Sequence, residues 1–198
     1  MLNRQKSYEE TIESFHWDIP RYYNIATDIC DRHASNKSAV ALIYHDDETD
    51  TVTEYTFREL KEQSNRLANS MRGLGLKSGD RIGIVLPQSP EAAVTHLAAY
   101  KIGAITVPLT TLFGPDALLF RLSNSGAKMI VIDKTNVEKI IALQDELPDL
   151  EQVIVTGNNN LGDIQNFNGL IRKGNTALAP VTTHSEDPAM LIYTSGTT

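Results

Sequence analysis

The residues best suited to chemistry stand at the end of the chain, where the apolar run 190–193 leads into Thr194-Ser195-Gly196-Thr197-Thr198. Glycine lets a backbone approach an anion, successive N–H groups form an anion-binding concavity, and hydroxyls add donors. The pattern predicts a phosphate-binding loop directly after a short buried strand. Such a loop usually closes with a lysine and opens a helix whose N-terminus adds positive field. Neither stands before Thr198, so we expect the motif to be incomplete within these 198 residues.

The other candidate sites favour structural interpretations. The acidic stretch 46–50 is predicted to be a solvated turn, because turns favour Asp and these residues are nearly adjacent. Gly73-Leu74-Gly75 lacks the third glycine of a dinucleotide fingerprint and follows a predicted helix, so it is interpreted as a helix terminator. The histidines do not have the spacing of metal ligands, and His96 is predicted to be a packed or surface helix residue. They are His16, His33, His45, His96 and His184.

Composition excludes several classes of protein. The formal net charge of −7 argues against a nucleic-acid partner, which normally requires a basic face. Cys30 is the only cysteine, so neither an intrachain disulfide nor a cysteine metal site can form, which fits a reducing cytoplasm. No run approaches the ~18 apolar residues of a membrane span. We therefore expect a soluble, cytoplasmic protein.

The elements that must position the terminal loop alternate between strands and helices. A short N-terminal helix starting at Ser7 and a hairpin of 39–44 with 51–55 come first. Capping patterns then mark helix starts at Thr56 with Glu59, at Ser89-Pro90, and at Thr135 with Glu138. The predicted strands are 82–86, 104–108, 129–132, 152–155 and 190–193, and the predicted helices between them are 92–102, 115–126 and 137–147. This alternation predicts an α/β fold, a doubly wound and mostly parallel sheet with helices on both faces.

The terminal motif Tyr193-Thr194-Ser195-Gly196-Thr197-Thr198 resembles the start of the phosphate-loop signature of the AMP-forming adenylate ligases. These are the acyl-CoA synthetases, the adenylation domains of nonribosomal peptide synthetases and the luciferases. Their pattern continues with Gly-x-Pro-Lys-Gly, which this chain lacks. From about Phe15 onwards, further segments resemble short- and medium-chain acyl-CoA synthetases in the same order. They include 17–20, 24–28, 56–60, 64–68, 79–82, 86–91, 101–104, 107–109, 113–118 and 125–128.

The resemblance implies an organisation and a set of binding residues. The chain would be the N-terminal part of the AMP-binding domain, with helices and a hairpin in 1–55, an α/β core in 56–156, and a linker, last strand and start of the phosphate loop in 157–198. Thr194, Ser195, Gly196, Thr197 and Thr198 would bind the phosphates of ATP, and Thr194 would also approach Mg²⁺. Phe113 and Gly114 stand where acetyl-CoA synthetases contact the coenzyme A nucleotide. Alternatively, Phe113 only packs beside a loop glycine that precedes a helix.

By the same resemblance, the whole enzyme would activate a carboxylic acid, acetate or another short acid, with ATP and transfer it to coenzyme A. Its partners would be a small-molecule carboxylate, the remainder of the large domain and a mobile C-terminal domain, with an oligomer possible. No catalytic residue is expected within these 198 residues, so we expect them to be inactive alone. Two alternatives stay open: an amino-acid adenylation domain, and a non-catalytic truncated scaffold that keeps the fold.

Overall fold

Residues 7–157, 162 and 164–194 are described by the computed structural model, and two sheets organise them. The helices are α1 (Tyr8–Ser14), α2 (Ile25–Ile29), α3 (Phe57–Gly73), α4 (Pro90–Lys101), α5 (Pro115–Ser125), α6 (Val137–Ile141) and α7 (Phe167–Lys173). The strands are β1 (Val40–Asp46), β2 (Thr51–Thr56), β3 (Arg81–Val85), β4 (Ile105–Pro108), β5 (Ala127–Ile132), β6 (Gln152–Val155) and β7 (Gln165–Asn166). Among these residues, no helix is both long and apolar enough to cross a membrane.

The main sheet has the order β4-β3-β5-β6-β7, and every pairing in it is parallel. The chain runs from β3 to one side into β4, then returns past β3 to β5 and continues outwards. The smaller sheet is the antiparallel hairpin β1-β2 around the turn 47–50. The predicted doubly wound α/β fold and its leading hairpin are therefore confirmed.

Helices cover both faces of the main sheet. One apolar core joins α2, α3, α4 and α7 to alternate strand residues such as Ile82, Met129 and Ile154. The other joins α5 and α6 to the intervening residues, such as Ile130 and Val155. Strand side chains point alternately to opposite faces, so a strand buried on both sides is apolar, as β5 is from Met129 to Ile132.

Three local signals behave as the sequence predicts. Thr56 Oγ1 accepts from the Glu59 N–H at 3.2 Å, and the Glu59 carboxylate accepts from the Thr56 N–H at 2.8 Å, completing the capping box of α3. These hydrogen bonds hold the pKa of Glu59 below its usual value. The helix ends at Gly73, and Gly75 follows with a φ of 99°, in the left-handed region that favours glycine. Ser89 caps α4, with Pro90 at its first position.

Three predicted features are wrong or were missed. The predicted helix 137–147 splits into the short α6 and a 3₁₀ turn, Gln144–Glu146. Its start is organised by Asp133, whose carboxylate accepts from the N–H groups of Thr135 and Asn136, and not by a Thr135–Glu138 capping box. The short β7 and the helix α7 that follows it were not predicted, although Asn166 caps α7 by accepting from the Gly169 N–H.

The predicted buried strand 190–193 is also wrong. Only Met190 pairs, in a single parallel bridge with Thr106 on the outer edge of β4. Leu191 and Ile192 are exposed, Ile192 to 68%, and only Tyr193 is half-buried, against the α5–α6 core. A strand is buried only where elements cover both its faces and its edges, and the described residues cover this segment only at Tyr193, which contacts α5.

A buried ion pair connects helices α3 and α4 to the turn that follows α2. The ammonium of Lys101, whose side chain is fully buried, lies 2.7 Å from Asp31 Oδ1 and donates to Asn65 Oδ1 at 2.7 Å. Burial lowers the pKa of Lys101, and Asp31 opposes that shift. Cys30, next to Asp31, is also buried, and this burial raises the pKa of its thiol to about 11. The three polar partners therefore join the turn after α2 to α3 and α4.

Candidate functional site at the carboxyl edge of the sheet

The loops that follow parallel strands leave the sheet from one edge, the carboxyl edge. Here these loops are 86–89 after β3, 109–114 after β4 and 133–136 after β5. Because β3 connects outwards to β4 on one side while β5 lies on its other side, the chain reverses its direction of winding between them. In open α/β sheets, ligands bind outside the carboxyl ends of the strands at such a switch point.

Phe113 and Gly114 lie in the loop after β4 and lead into α5. Phe113 is half-buried against the α5–α6 core, so the packing interpretation describes a contact that the structure contains. Gly114 is exposed and begins α5 without a side-chain cap, and a Cβ at this position would meet nothing within 4 Å. The backbone beside it is therefore open to solvent. The contact of this pair with coenzyme A stays a prediction.

Lys139 ties two of these loops together. Its ammonium donates to the Phe113 carbonyl at 2.9 Å and to Asn136 Oδ1 at 2.5 Å. A longer contact of 3.4 Å reaches the Thr111 carbonyl. The loop after β4 is thus held to the start of α6, which follows β5. Lys139 also adds a positive charge beside Gly114, where the sequence reasoning named none.

Thr194, the first residue predicted to bind phosphate and Mg²⁺, is exposed. Its hydroxyl makes no hydrogen bond to another described residue, so it is free to ligate a cation or to contact a phosphate. Ser195, Gly196, Thr197 and Thr198 lie outside the described residues. Because the bridge between Met190 and Thr106 is parallel, the segment that reaches Thr194 runs in the direction of β4, towards the carboxyl edge.

Arg121 lies between the two predicted nucleotide-binding segments. Its guanidinium carbon is 4.2 Å from the ring centroid of Phe113 and 5.6 Å from that of Tyr193. Nη1 donates to the Ala117 carbonyl at 2.9 Å, whereas the buried Nε finds no acceptor among the described residues. Sequence reasoning missed Arg121 and Lys139 because their partners are contacts of the fold, with no motif spacing to signal them.

Arg121 and Lys139 provide donors that can be compared with what coenzyme A and Mg²⁺ require. A cationic side chain with an unused buried donor, beside an exposed glycine and a lysine, suits the anionic nucleotide of coenzyme A. Among residues 7–157, 162 and 164–194, no three His, Cys, Asp or Glu side chains cluster as metal ligands would. The exposed Thr194 hydroxyl can offer one oxygen to Mg²⁺, an ion that typically keeps several waters and binds substrate phosphates.

A cavity of about 710 Å³ opens at the same edge, between the hairpin and the loops after β3 and β4. Its polar lining includes Tyr44, Gln88, Ser89, His96 and Thr110. His96 is half-buried and lies 3.4 Å from the Tyr100 hydroxyl, and desolvation lowers the pKa of its imidazole. His96 is therefore a packed helix residue, as predicted, and it also faces a cavity.

The acidic turn 47–50 is exposed to solvent. His45 lies 3.0 Å from both Asp47 and Asp50, but these two carboxylate side chains are 97% and 95% exposed. The predicted solvated turn is therefore confirmed.

Comparison with known proteins places this architecture in a family. Residues 30–198 match the family described as AMP-binding enzyme. The acetyl-coenzyme A synthetase of Bacillus subtilis (strain 168) is 38% identical over 207 residues, which cover 98% of this chain and 36% of that protein. The Brucella canis acyl-CoA synthetase structure matches with a TM-score of 0.85 and 30% identity, over 96% of this chain and 36% of that chain.

The crystal structure of the anthranilate CoA ligase AuaEII in complex with anthranoyl-AMP matches with a TM-score of 0.81 and 32% identity, over 91% of this chain and 34% of that chain. The chain thus spans about a third of the length of the relatives it matches. The fold, the carboxyl-edge loops and the match over 30–198 agree, and the chain belongs to the AMP-binding enzyme family.

Proposed function

We propose that this chain is the N-terminal part of the large domain of an AMP-forming acyl-CoA synthetase that activates acetate or another short carboxylic acid. The observation that carries the proposal is the 38% identity to an acetyl-coenzyme A synthetase across 98% of the chain. The names of the relatives favour a coenzyme A ligase over an amino-acid adenylation domain, since acetyl- and acyl-coenzyme A synthetases recur among them.

The reaction has two steps. A carboxylate oxygen attacks the α-phosphorus of ATP, the bond to the β-phosphate oxygen breaks, and pyrophosphate leaves. The thiolate of coenzyme A then attacks the acyl carbonyl carbon, and AMP leaves with the electrons of the broken C–O bond. Negative charge grows on the leaving group in both steps, so fixed donors aimed at it lower the barrier.

Residues of this chain would bind the phosphates of ATP and the nucleotide of coenzyme A. Thr194 would hold Mg²⁺ at the start of the phosphate loop, and Ser195, Gly196, Thr197 and Thr198 would donate to the phosphates of ATP. When bound, Mg²⁺ would neutralise charge on the leaving pyrophosphate. Phe113 and Gly114 would contact the nucleotide of coenzyme A. The exposed Thr194 hydroxyl and the open backbone at Gly114 support these roles.

The activity should be measured on the longest polypeptide that the gene encodes. Pyrophosphate exchange into ATP is expected with acetate or propionate, and AMP release is expected to require coenzyme A. Exchange that depends on an amino acid would instead favour the peptide-synthetase alternative. No exchange with any carboxylate would contradict the proposal. Residues 1–198 alone are expected to show no turnover, and detectable turnover would contradict that part.

Thr194 can be tested with a matched control. Thr194→Ala is expected to weaken Mg²⁺-dependent pyrophosphate exchange by about tenfold or more, because a ligand aimed at developing charge is lost. Thr182→Ala removes the hydroxyl of another exposed threonine and should leave exchange unchanged. Equal rates in the two variants would remove Thr194 from the proposed site.

A further inference from the structure

Helix α5 holds the entrance of the predicted phosphate loop. Tyr193 precedes Thr194, and its hydroxyl lies 2.7 Å from Asn124 Oδ1 and 3.2 Å from the Arg121 carbonyl oxygen. The Tyr193 ring also meets Phe120 edge-on, with 6.4 Å between centroids. Ile192, one residue earlier, is 68% exposed, so the contacts of Tyr193 are what fix this end of the chain onto the domain.

The same helix holds the other predicted subsite. Phe113 immediately precedes Gly114, where α5 begins, and its ring lies under the Arg121 guanidinium. Arg121 therefore contacts an aromatic residue from each segment, Phe113 at 4.2 Å and Tyr193 at 5.6 Å. No described carboxylate pairs with Arg121, so ring contacts and the single bond to Ala117 hold its side chain.

This arrangement is unusual for a side chain that serves packing alone. Burying a guanidinium nitrogen without an acceptor costs free energy, and an aliphatic residue would fill the space between two rings without that cost. A planar cation instead orients both rings through the attraction of its charge to their faces. The observed geometry therefore fits a residue that fixes the relative position of two segments.

We propose that Arg121 is a positioning residue that holds the Tyr193–Thr194 entrance and the Phe113–Gly114 segment in one arrangement, so that the two move together. The kinetic consequence rests on the proposed function, in which these segments contact ATP and coenzyme A. Loosening one segment then loosens the other, and occupation of either subsite favours the arrangement that the other ligand needs. Such coupling between binding sites is reciprocal.

The positioning is tested first by hydrogen exchange, which does not depend on activity. In the longest polypeptide that the gene encodes, Arg121→Met and Tyr193→Phe are expected to speed exchange in peptides covering 190–194 by about threefold to tenfold. Exchange within β5 should stay unchanged. The matched controls are Arg72→Met and Tyr8→Phe, which alter exposed side chains on α3 and α1.

Kinetics then test the coupling. Arg121→Met is expected to raise the KM for ATP and the KM for coenzyme A together, by about threefold to tenfold, with kcat within about twofold. Arg121→Lys keeps the charge but loses the planar stack, so it should recover only part of the loss. A purely structural defect would instead lower the active fraction, and therefore kcat, and leave both KM values in place.

Each result decides a separate claim. Unchanged exchange at 190–194 in Arg121→Met overturns the positioning role of Arg121, whatever Tyr193→Phe shows and whether or not the protein is a ligase. Faster exchange with a rise in only one KM overturns the coupling. A wild-type protein without pyrophosphate exchange overturns the proposed function, and hydrogen exchange still decides whether Arg121 positions the two segments.

Discussion

The two helical layers of the sheet differ in how their helices begin. On one face, α2, α3, α4 and α7 each start with a side chain that accepts from a backbone N–H of the first turn. On the other face, the N-cap residues of α5 and α6 are Gly114 and Asn136, and neither makes a side-chain cap hydrogen bond. The first layer also contains the buried Lys101–Asp31 pair. In the α2–α3–α4–α7 layer, side chains therefore accept from the first N–H groups of the helices. In the α5–α6 layer, the first N–H groups of the helices have no side-chain acceptor and lie at the carboxyl edge of the sheet.

This difference predicts that substitutions in the two layers have different effects, on folding in one layer and on binding in the other. In the first layer, capped helix starts and a buried ion pair already use the polar groups that a ligand could contact, so changes in that layer should act on folding. An uncapped start has free N–H groups that water or a ligand must satisfy. Changes at the start of α5 should therefore act on binding and leave the free energy of unfolding almost unchanged.

The largest effect is expected at Lys101. Lys101→Met should lower the free energy of unfolding by about 3–5 kcal/mol, because it leaves the Asp31 carboxylate buried and unpaired. Urea denaturation measures the loss, and Lys37→Met, at an exposed lysine, is the control. The double variant, Lys101→Met with Asp31→Leu, should recover much of the lost free energy of unfolding, because it leaves no buried carboxylate unpaired. A loss below about 1 kcal/mol would mean that the pair does not fasten this layer.

The reactivity of Cys30 gives a second measure of the destabilisation expected for Lys101→Met. With a pKa of about 11, roughly a thousandth of its thiol is thiolate at pH 8, and the side chain is buried. Alkylation of the wild type should therefore be slow and limited by opening of the layer. Lys101→Met should speed it, and equal labelling rates in the two proteins would contradict the destabilisation.

An intermediate effect is expected where α7 meets α3. A Cβ at Gly174 would lie 2.2 Å from the backbone oxygen of Arg66, which cannot move without shifting α3. Gly174→Ala should cost about 1–3 kcal/mol of unfolding free energy in the same urea experiment. Gly73→Ala, where a Cβ meets nothing within 4 Å, should change stability by less than about 0.5 kcal/mol. Similar effects at both glycines would contradict the clash.

A smaller effect is expected for His96 as the pH falls. Burial lowers its pKa in the folded protein, so the unfolded chain binds the proton more readily in the window below the usual value of about 6.5. Stability should therefore rise with pH through that window and fall as the solution is acidified. His96→Gln should show a shallower slope between about pH 7 and 5, and an unchanged slope would contradict this role of His96.

The smallest change in stability is expected at Gly114. Gly114→Ser adds a capping hydroxyl where space is open, so it should raise the free energy of unfolding by only a few tenths of a kcal/mol. In the proposed ligase, the same hydroxyl would occupy N–H groups near the coenzyme A segment, so the KM for coenzyme A should rise. A stability change without a change in that KM would assign Gly114 to the fold alone.

Local chemistry in the sequence predicted most of the fold. Thr56 with Glu59, and Ser89 with Pro90, fix helix starts through neighbours within a few residues, so their pattern is sufficient. The apolar run 190–193 was misjudged because its burial depends on partners far along the chain. Helix α7 was missed because Asn168 and Gly169 weaken its helical pattern, although the spacing of Phe167, Leu170 and Ile171 would have revealed an apolar face.

The sequence predicted site residues only where they stand next to one another in a recognisable motif. Thr194–Thr198 and Phe113–Gly114 were named from adjacent residues. Arg121 and Lys139 were not, because their contacts join residues brought together by the winding of the sheet: Arg121 meets Tyr193, 72 positions later. No periodicity in a single sequence encodes such a pair.

The segment before α2 is completed by residues about 160 positions later in the sequence. The Thr183 hydroxyl donates to the Tyr23 carbonyl at 2.6 Å across 160 positions, and Tyr22 forms a bridge with His184. During synthesis, at roughly 5–20 residues per second, the N-terminal segment must wait on the order of ten seconds or more for these partners. Over that interval a nascent chain would expose apolar residues around Tyr22 and Ala26. The time for which these apolar residues stay exposed during translation is thus set by when residues 183–184 leave the ribosome.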